Sequence, residues 1–199
     1  MRILLSLSDR DLLSAYESLL SLDGDEAVTA FDGAQTASKL AEGGIELAVL
    51  DSALSRIDIG RIVRMLHEEN IPSVVALRGR LNTALLLQNE PANAYITFPF
   101  QPAELRAAVT DVAKKASGNE ITVFDDVEID VRRFLLCGRA RVTAGEIDVF
   151  SSLICGEAPE KRHLSAYVGA LNNKFERLGK KTRIVYSPGR GYGMVTLHE

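Results

Sequence analysis

The sequence predicts an α/β fold in two parts: a doubly wound parallel sheet of five strands, followed by a small α+β domain. Across residues 1–116, five short apolar segments alternate with five segments of helical periodicity. This alternation favours a parallel sheet, because parallel neighbours need crossover connections. From residue 121 onward, short apolar segments separated by turn residues indicate an antiparallel meander.

The third apolar segment, residues 47–50, organises the first part. Its four uninterrupted apolar residues fit a strand that is buried on both faces. Asp51 follows directly, at the carboxyl end of this strand. Because ligands of open α/β sheets bind at that edge, Asp51 is the first candidate for a functional residue.

The remaining elements of the first part follow from periodicity and from residues that begin helices. Ser8 or Asp9 can cap the first helix, Asp58 can cap the third, and Pro102 suits the first position of the last. Strands are predicted at residues 2–7, 26–30, 47–50, 73–77 and 94–97, and helices at residues 10–22, 33–41, 59–69, 82–88 and 102–116.

Charge is unevenly distributed along the chain. The 199 residues carry a net charge of −4, with −5 in residues 1–117 and +1 in residues 118–199. Residues 161–190 hold eight basic residues and one acidic residue. This cluster suggests a surface that faces a polyanion, although a solvated helix face is the plainer interpretation.

Composition argues against several classes of protein. Cys137 and Cys155 lack metal-ligand spacing, so they are expected to be small buried residues in a reducing cytoplasm. No signal peptide or membrane span is recognisable. The three histidines are scattered and no nucleophile motif is present. We therefore expect a cytoplasmic, non-enzymatic protein with no catalytic residues, no cofactor, no metal and no membrane partner.

Residues 1–116 resemble the receiver domain of two-component response regulators, which has flavodoxin-like topology. The resemblance lies in Asp51 with the loop that follows it, in Ile71-Pro72 before the fourth strand, and in residues 95–100, which are similar to a Y-I-x-K-P-F motif. It places Asp51 on the phosphoacceptor position and Pro99 on a proline that follows a cis peptide.

The chain departs from this family at four of the five positions that carry the phosphoryl chemistry. Two acidic Mg²⁺ ligands, a hydroxyl and a lysine are replaced by Leu7, Ser8, Leu77 and Phe98. Phosphoryl transfer depends on cations that neutralise the phosphoryl oxygens. We therefore expect a pseudo-receiver in which Asp51 is unused as a phosphoacceptor and instead orders a loop or caps a helix.

The replaced residues also define an expected environment for the Asp51 carboxyl group. With these replacements the pocket is expected to be apolar. An apolar pocket raises the pKa of Asp51, or forces its carboxylate to pair with a backbone N–H group or an arginine, with Arg78 and Arg80 as candidates. An apolar plug is expected where Mg²⁺ and phosphate bind in the family, formed by Leu7, Leu77 and Phe98.

The second part is predicted to begin after a polar linker at residues 117–120. Thr143 and Glu146 form a capping box, which opens a helix that runs to about residue 155. A second helix is predicted at residues 161–178. The predicted strands are residues 121–124, 127–131, 134–137 and 139–142, with a terminal hairpin over residues 183–196.

Residues 121–199 resemble the winged-helix DNA-binding domain of OmpR/PhoB-class response regulators. Residues 142–147 look like that family's L-T-x-x-E-F, residues 164–175 are similar to its recognition helix, and residues 189–192 match the G-x-G-Y of its wing. Only residues 156–162 separate the two predicted helices. The first helix of the helix-turn-helix, which normally crosses the DNA backbone, is therefore expected to be deleted.

The resemblance implies DNA contacts from the second helix and the hairpin. Basic side chains neutralise phosphates, and Arg190 at the tip of the wing can enter a minor groove. Asn172 and Asn173 can form hydrogen bonds with adenine edges, or they lie on a solvated helix face. The candidates are Asn172, Asn173, Lys174, Arg177, Lys180, Lys181, Arg183 and Arg190.

These observations lead to three hypotheses about function. The first is a DNA-binding transcription regulator that is independent of phosphorylation. The second is an interaction or dimerisation module that no longer binds DNA and holds a protein partner instead. The third keeps a phosphorylation switch at Asp51. The family resemblance further implies a homodimer formed through the receiver-like domain, where Leu85, Leu86 and Leu87 could supply apolar contacts.

Overall fold

The computed structural model describes residues 1–22, 24–86, 88–159 and 162–197, without the side chain of Thr83. Its backbone contacts group the chain into two compact units. Unit 1 comprises Met1–Arg80 and Ala92–Lys114, and unit 2 comprises Leu81–Pro91 and Lys115–Glu199. The predicted fourth helix therefore groups with unit 2, although the sequence places it between two strands of the first sheet.

Unit 1 is built on a five-stranded parallel sheet in the order β2-β1-β3-β4-β5. This order confirms the predicted doubly wound topology. Its strands are β1 (Arg2–Ser6), β2 (Glu26–Ala30), β3 (Leu47–Asp51), β4 (Ser73–Leu77) and β5 (Ala94–Thr97). The helices of the first part are α1 (Arg10–Leu22), α2 (Gly33–Glu42), α3 (Ile59–Glu68), α4 (Thr83–Leu86) and α5 (Pro102–Ser117).

Local sequence explains where these elements begin. The Asp9 carboxylate accepts hydrogen bonds from the backbone at the start of α1. Asp32 does the same for α2 and Asp58 for α3, because short acidic side chains satisfy the free N–H groups of a first helical turn. All five residues of β3 and of β4 are buried. Asp51 is the last residue of β3, so the strand is one residue longer than predicted.

Unit 2 combines two antiparallel sheets with three helices. A four-stranded meander runs in the order β6-β7-β8-β9, and a separate hairpin pairs β10 with β11. The strands are β6 (Ile121–Phe124), β7 (Val127–Asp130), β8 (Leu135–Leu136), β9 (Ala140–Arg141), β10 (Thr182–Ser187) and β11 (Gly191–Thr196). Helices α6 (Ala144–Ile154) and α7 (Leu164–Arg177) pack together, and α4 packs against α7.

The connection between α6 and α7 contains no helix among its described residues, 155–159 and 162–163. Glu160 and Lys161 lie outside the described residues. Arg162 and His163 form a turn, so the second helix begins at Leu164, later than the predicted residue 161. The core between the two helices includes the buried rings of Phe150 and Phe175, which meet edge to face at 6.2 Å.

The structure contradicts the expectation for the two cysteines. Cys137 is half-buried and Cys155 is exposed, so the expectation that both are buried is wrong. Cys155 directly follows the last residue of α6, where the chain turns outward. Within the described part of the chain, no helix is long and apolar enough to cross a membrane.

Candidate functional site

Asp51 lies at the carboxyl edge of the unit 1 sheet, where the sequence places it. Its side chain is 0% exposed. Ser8, two residues past the end of β1, and Arg78, directly after β4, flank it because these two strands are the neighbours of β3. Parallel topology thus brings together three residues that are far apart in sequence.

The two carboxylate oxygens of Asp51 accept several hydrogen bonds. The Ser8 hydroxyl donates to Oδ2 at 2.5 Å, and the Ser8 backbone N–H donates to the same oxygen at 3.3 Å. The backbone N–H of Ala53 donates to Oδ1 at 2.9 Å. These bonds tie the end of β3 to the segment after β1 and to its own following loop.

Arg78 forms an ion pair with the same carboxylate. Its Nε donates to Oδ1 at 3.1 Å and its Nη2 donates to Oδ2 at 2.8 Å, a two-point contact that fits the planar guanidinium. Nη2 also donates to the Ser8 hydroxyl oxygen at 3.2 Å, and the Arg78 backbone N–H donates to Ser52 Oγ at 3.0 Å. The guanidinium lies over the Phe98 ring, 4.6 Å from its centre.

This geometry decides between the two expectations for the Asp51 carboxyl group. Burial acts to raise the pKa of Asp51, but the hydrogen bonds from Arg78, Ser8 and Ala53 outweigh it, so the pKa is lowered. The same hydrogen bond raises the pKa of Arg78. The expectation of a raised pKa is therefore wrong and the arginine partner is correct, because a positive charge reaches the pocket from the end of β4.

The expected apolar plug is present only in part. Leu7 and Leu77 are buried, whereas Phe98 is half-buried and packs against Phe100 with ring centres 4.6 Å apart. Pro99 follows a cis peptide, as the resemblance implies. The centre of the pocket holds an ion pair rather than apolar side chains alone. Among the described residues, no cluster of acidic, histidine or cysteine side chains could hold a metal.

A second candidate site lies on α7 and the hairpin of unit 2. Two of its predicted DNA contacts are already engaged in the structure. Asn172 donates to the Ile184 carbonyl at 2.7 Å and accepts from the Ile184 N–H at 2.8 Å, which fixes α7 to β10. Lys174 is 4% exposed and donates to Glu146 at 2.6 Å. Neither side chain is presented to a nucleic acid in this structure, since both have internal partners.

Glu146 joins the predicted capping box to this ion pair. Its carboxylate accepts from the Thr143 backbone N–H at 2.8 Å, while the Thr143 hydroxyl accepts from the Glu146 N–H at 3.3 Å. Burial raises the pKa of Glu146 and lowers that of Lys174, and their mutual attraction opposes both effects. Periodicity predicted the capping box, but it contained no signal that Lys174 turns inward to the same carboxylate.

The other predicted contacts remain at the surface. Asn173, Arg177, Lys181 and Arg190 are exposed, and Lys180 is half-buried. Arg183 is half-buried, and its Nη1 donates to the Lys180 and Thr182 carbonyls. Exposed basic side chains therefore lie at the end of α7, at the start of β10 and at the tip of the hairpin.

The turn between β6 and β7 anchors this hairpin. The Asp126 carboxylate accepts from the Lys181 and Thr182 backbone N–H groups at 2.8 and 3.3 Å and from the Thr182 hydroxyl at 2.8 Å. Asp125 accepts from the Thr196 hydroxyl at 2.9 Å. The sequence showed these two acids only as turn residues, because no local pattern indicates a partner that is distant along the chain.

Comparison with known proteins gives distant relatives. No family model matches the chain. The chain is 28% identical over 156 residues to the transcriptional regulatory protein PrrA of Mycobacterium tuberculosis. This match covers 74% of the chain and 65% of PrrA. The chain is 30% identical over 122 residues to the transcriptional regulatory protein CpxR of Escherichia coli, covering 60% of this chain and 52% of CpxR. The chain thus spans between half and two thirds of the curated relatives it matches.

Solved structures share the fold over nearly the whole chain. A mutant of RitR matches with a TM-score of 0.66 at 18% identity, covering 98% of this chain and 99% of that one. DrrB, an OmpR/PhoB homologue of Thermotoga maritima, matches with a TM-score of 0.56 at 17% identity and 98% coverage of both chains. The names of PrrA and CpxR describe both as transcriptional regulatory proteins. Unit 1 therefore has the fold of response-regulator receiver domains, and the chain is distantly similar to the transcriptional regulatory proteins PrrA and CpxR.

Proposed function

We propose that this chain is a cytoplasmic transcription regulator that binds DNA through unit 2 and does not depend on phosphorylation of Asp51. The observation that carries the proposal is the hydrogen-bonded ion pair between Asp51 and Arg78. The names of PrrA and CpxR describe transcriptional regulation, which gives the regulatory half of the proposal its support.

The proposal of a pseudo-receiver rests on what occupies the pocket. A phosphoacceptor carboxylate needs an oxygen free to attack and cations that neutralise the transferred group. Here donors from Ser8, Ala53 and Arg78 engage both oxygens of Asp51. The Arg78 guanidinium supplies, inside the chain, the positive charge that a bound metal supplies in a phosphorylated receiver. Phosphorylation would have to break this arrangement before any bond to phosphorus could form.

The proposal of DNA binding rests on the exposed basic residues of unit 2. Arg177, Lys180 and Lys181 lie together where α7 leads into β10, and Arg190 lies at the tip of the hairpin. Such residues can neutralise phosphates, which makes affinity depend strongly on salt. Asn173 is the one exposed member of the asparagine pair, although its amide also donates to the Gly169 carbonyl at 2.9 Å.

The direct test is titration of the unmodified full-length chain onto duplex DNA, including its own upstream region, at several salt concentrations. We expect sequence-selective binding with a steep salt dependence, and Arg190→Ala should weaken it by roughly 3- to 10-fold, the range expected for one lost phosphate or groove contact. Arg132→Ala removes a surface arginine outside the proposed contact surface and serves as the matched control. Absence of binding at low salt would contradict the proposal.

A second candidate function is an interaction module that no longer binds DNA. The engaged side chains of Asn172 and Lys174, the absence of a helix from the described residues between α6 and α7, and the packing of α4 against α7 favour it. Under this alternative, Arg190→Ala and Arg132→Ala behave alike, because neither touches DNA. A protein partner would then be the object of the search.

We also propose that the chain forms a homodimer through its receiver domain, as the family resemblance implies. Leu86 is fully buried and Leu85 is half-buried, and both lie on α4, which groups with unit 2, while Leu87 lies outside the described residues. The two described leucines therefore offer less apolar surface to such a dimer than expected. Sedimentation velocity between low and high micromolar concentration should show a concentration-dependent dimer. A single monomeric species over that whole range would contradict the dimer without bearing on DNA binding.

A further inference from the structure

Unit 2 contains a cavity whose lining includes one of the proposed DNA contacts, Arg177. Its volume is about 330 Å³, at the small end of the range for ligand sites. All of its lining belongs to unit 2: residues 88–90 after α4, residues 139–141 around β9, and the last turn of α7. The lining residues include three arginines, Arg139, Arg141 and Arg177.

Two of these arginines have no side-chain partner among the described residues. The side chains of Arg139 and Arg177 are exposed, and within the described part of the chain neither makes a hydrogen bond or an ion pair. Three arginines that line one cavity carry like charges, and a bound anion would lower their mutual repulsion. The unpartnered N–H groups are therefore available to a ligand.

The third arginine is only partly neutralised. Arg141 Nε lies 3.6 Å from the Glu90 carboxylate, beyond hydrogen-bonding distance, and Arg141 Nη1 donates to the Arg133 carbonyl at 3.3 Å. Lys174, which also lines the cavity, is paired with the buried Glu146. Counting Glu90 against the three arginines leaves two uncompensated positive charges around the cavity.

We propose that this cavity binds a small phosphate-bearing dianion. Two net positive charges match a dianion, and the planar guanidinium fork matches the oxygens of a phosphate group. Gln88 and Asn89 also line the cavity, and amide side chains of this kind can form hydrogen bonds with a hydroxyl or a carbonyl of a phosphate ester. The inference concerns unit 2 alone and does not depend on DNA binding.

The test is titration calorimetry of the full-length chain, without DNA, using inorganic phosphate and pyrophosphate at constant ionic strength. We expect saturable binding of one anion per chain. Arg139→Ala should lower the affinity by about 10-fold or more, since a hydrogen bond between charged groups contributes roughly that much. Arg139→Lys keeps the charge and loses the fork, and should fall between the wild type and Arg139→Ala.

Arg132→Ala is the matched control, because it removes an exposed arginine of the same unit that does not line the cavity. It should bind the anions like the wild type. Failure of the wild type to show saturable binding would overturn the site, and so would equal losses in Arg139→Ala and Arg132→Ala. Neither outcome affects the DNA titration, so the anion-site proposal and the DNA-binding proposal can be contradicted independently.

Discussion

Arg78 is the residue that most changes the chemistry of the Asp51 pocket. It is 43% exposed, yet it makes a two-point contact with a carboxylate that is fully buried. A buried carboxylate without a partner would bear the full cost of desolvation. Arg78 removes that cost and at the same time occupies the oxygens that phosphorylation would need.

Replacement of Arg78 should leave the buried Asp51 carboxylate without its ion-pair partner, and the resulting loss of stability should depend on pH. We expect Arg78→Ala to lower the free energy of unfolding by about 1–3 kcal/mol at pH 7. This range already allows for solvent screening of the half-exposed guanidinium. The lowered pKa of Asp51 means that its contribution is fully present above the unfolded-state pKa of about 4. That contribution is lost as pH falls through the folded-state pKa.

Urea denaturation of both proteins between pH 7 and pH 3 measures the effect. The difference between wild type and Arg78→Ala should shrink steadily below about pH 4, where Asp51 becomes protonated in the unfolded chain. Arg80→Ala, an exposed arginine two residues away, is the control and should differ little from wild type. A difference that stayed constant with pH would show that Arg78 stabilises the chain by packing rather than by pairing with Asp51.

The Glu146–Lys174 pair connects two elements, α6 and α7. Because both groups are buried, loss of Lys174 leaves an uncompensated carboxylate in the core. We expect Lys174→Met to cost about 3–5 kcal/mol of stability at neutral pH. Thermal denaturation should show a lowered midpoint, and the double variant Glu146→Gln with Lys174→Met should recover part of it. A Lys174→Met variant as stable as Lys181→Met would disprove this role.

Elements were predicted well wherever a local signal existed. The strands of unit 1, the capping box at Thr143 and Glu146 and the terminal hairpin all follow from spacing along the chain. Contacts across long sequence distances were not predictable in this way. The ion pair between Lys174 and Glu146 and the hydrogen bonds from the start of β10 to Asp126 depend on tertiary packing. Tertiary packing produces no periodic pattern in the sequence.

The fourth helix shows a further limit of local patterns. Three consecutive leucines suggested a helix over residues 82–88, whereas α4 spans only Thr83–Leu86 and groups with unit 2. Leu86 is fully buried there. Hydrophobic periodicity indicates that a helix needs a buried face, but it does not identify which unit provides the covering surface.

At the scale of the whole molecule, the chain has the same two-part order as DrrB, an OmpR/PhoB homologue. Similarity to DrrB and to the RitR mutant extends over 98% of the chain, so the order of the two parts is shared with those structures. The resemblance to receiver domains places Leu7, Ser8, Leu77 and Phe98 at positions that carry phosphoryl chemistry in that family. The proposal that this chain keeps the fold without the chemistry rests on these four residues and on the ion pair between Asp51 and Arg78.

The central claim, that Asp51 is not a working phosphoacceptor, is tested most directly by incubating the full-length chain with Mg²⁺ and a small phosphodonor. Intact mass measurement then detects any added phosphoryl group. We predict no labelling of the wild type over times that fully label an ordinary receiver, because Arg78 and Ser8 hold both carboxylate oxygens. Stoichiometric, Mg²⁺-dependent labelling that disappears in Asp51→Asn would contradict the account.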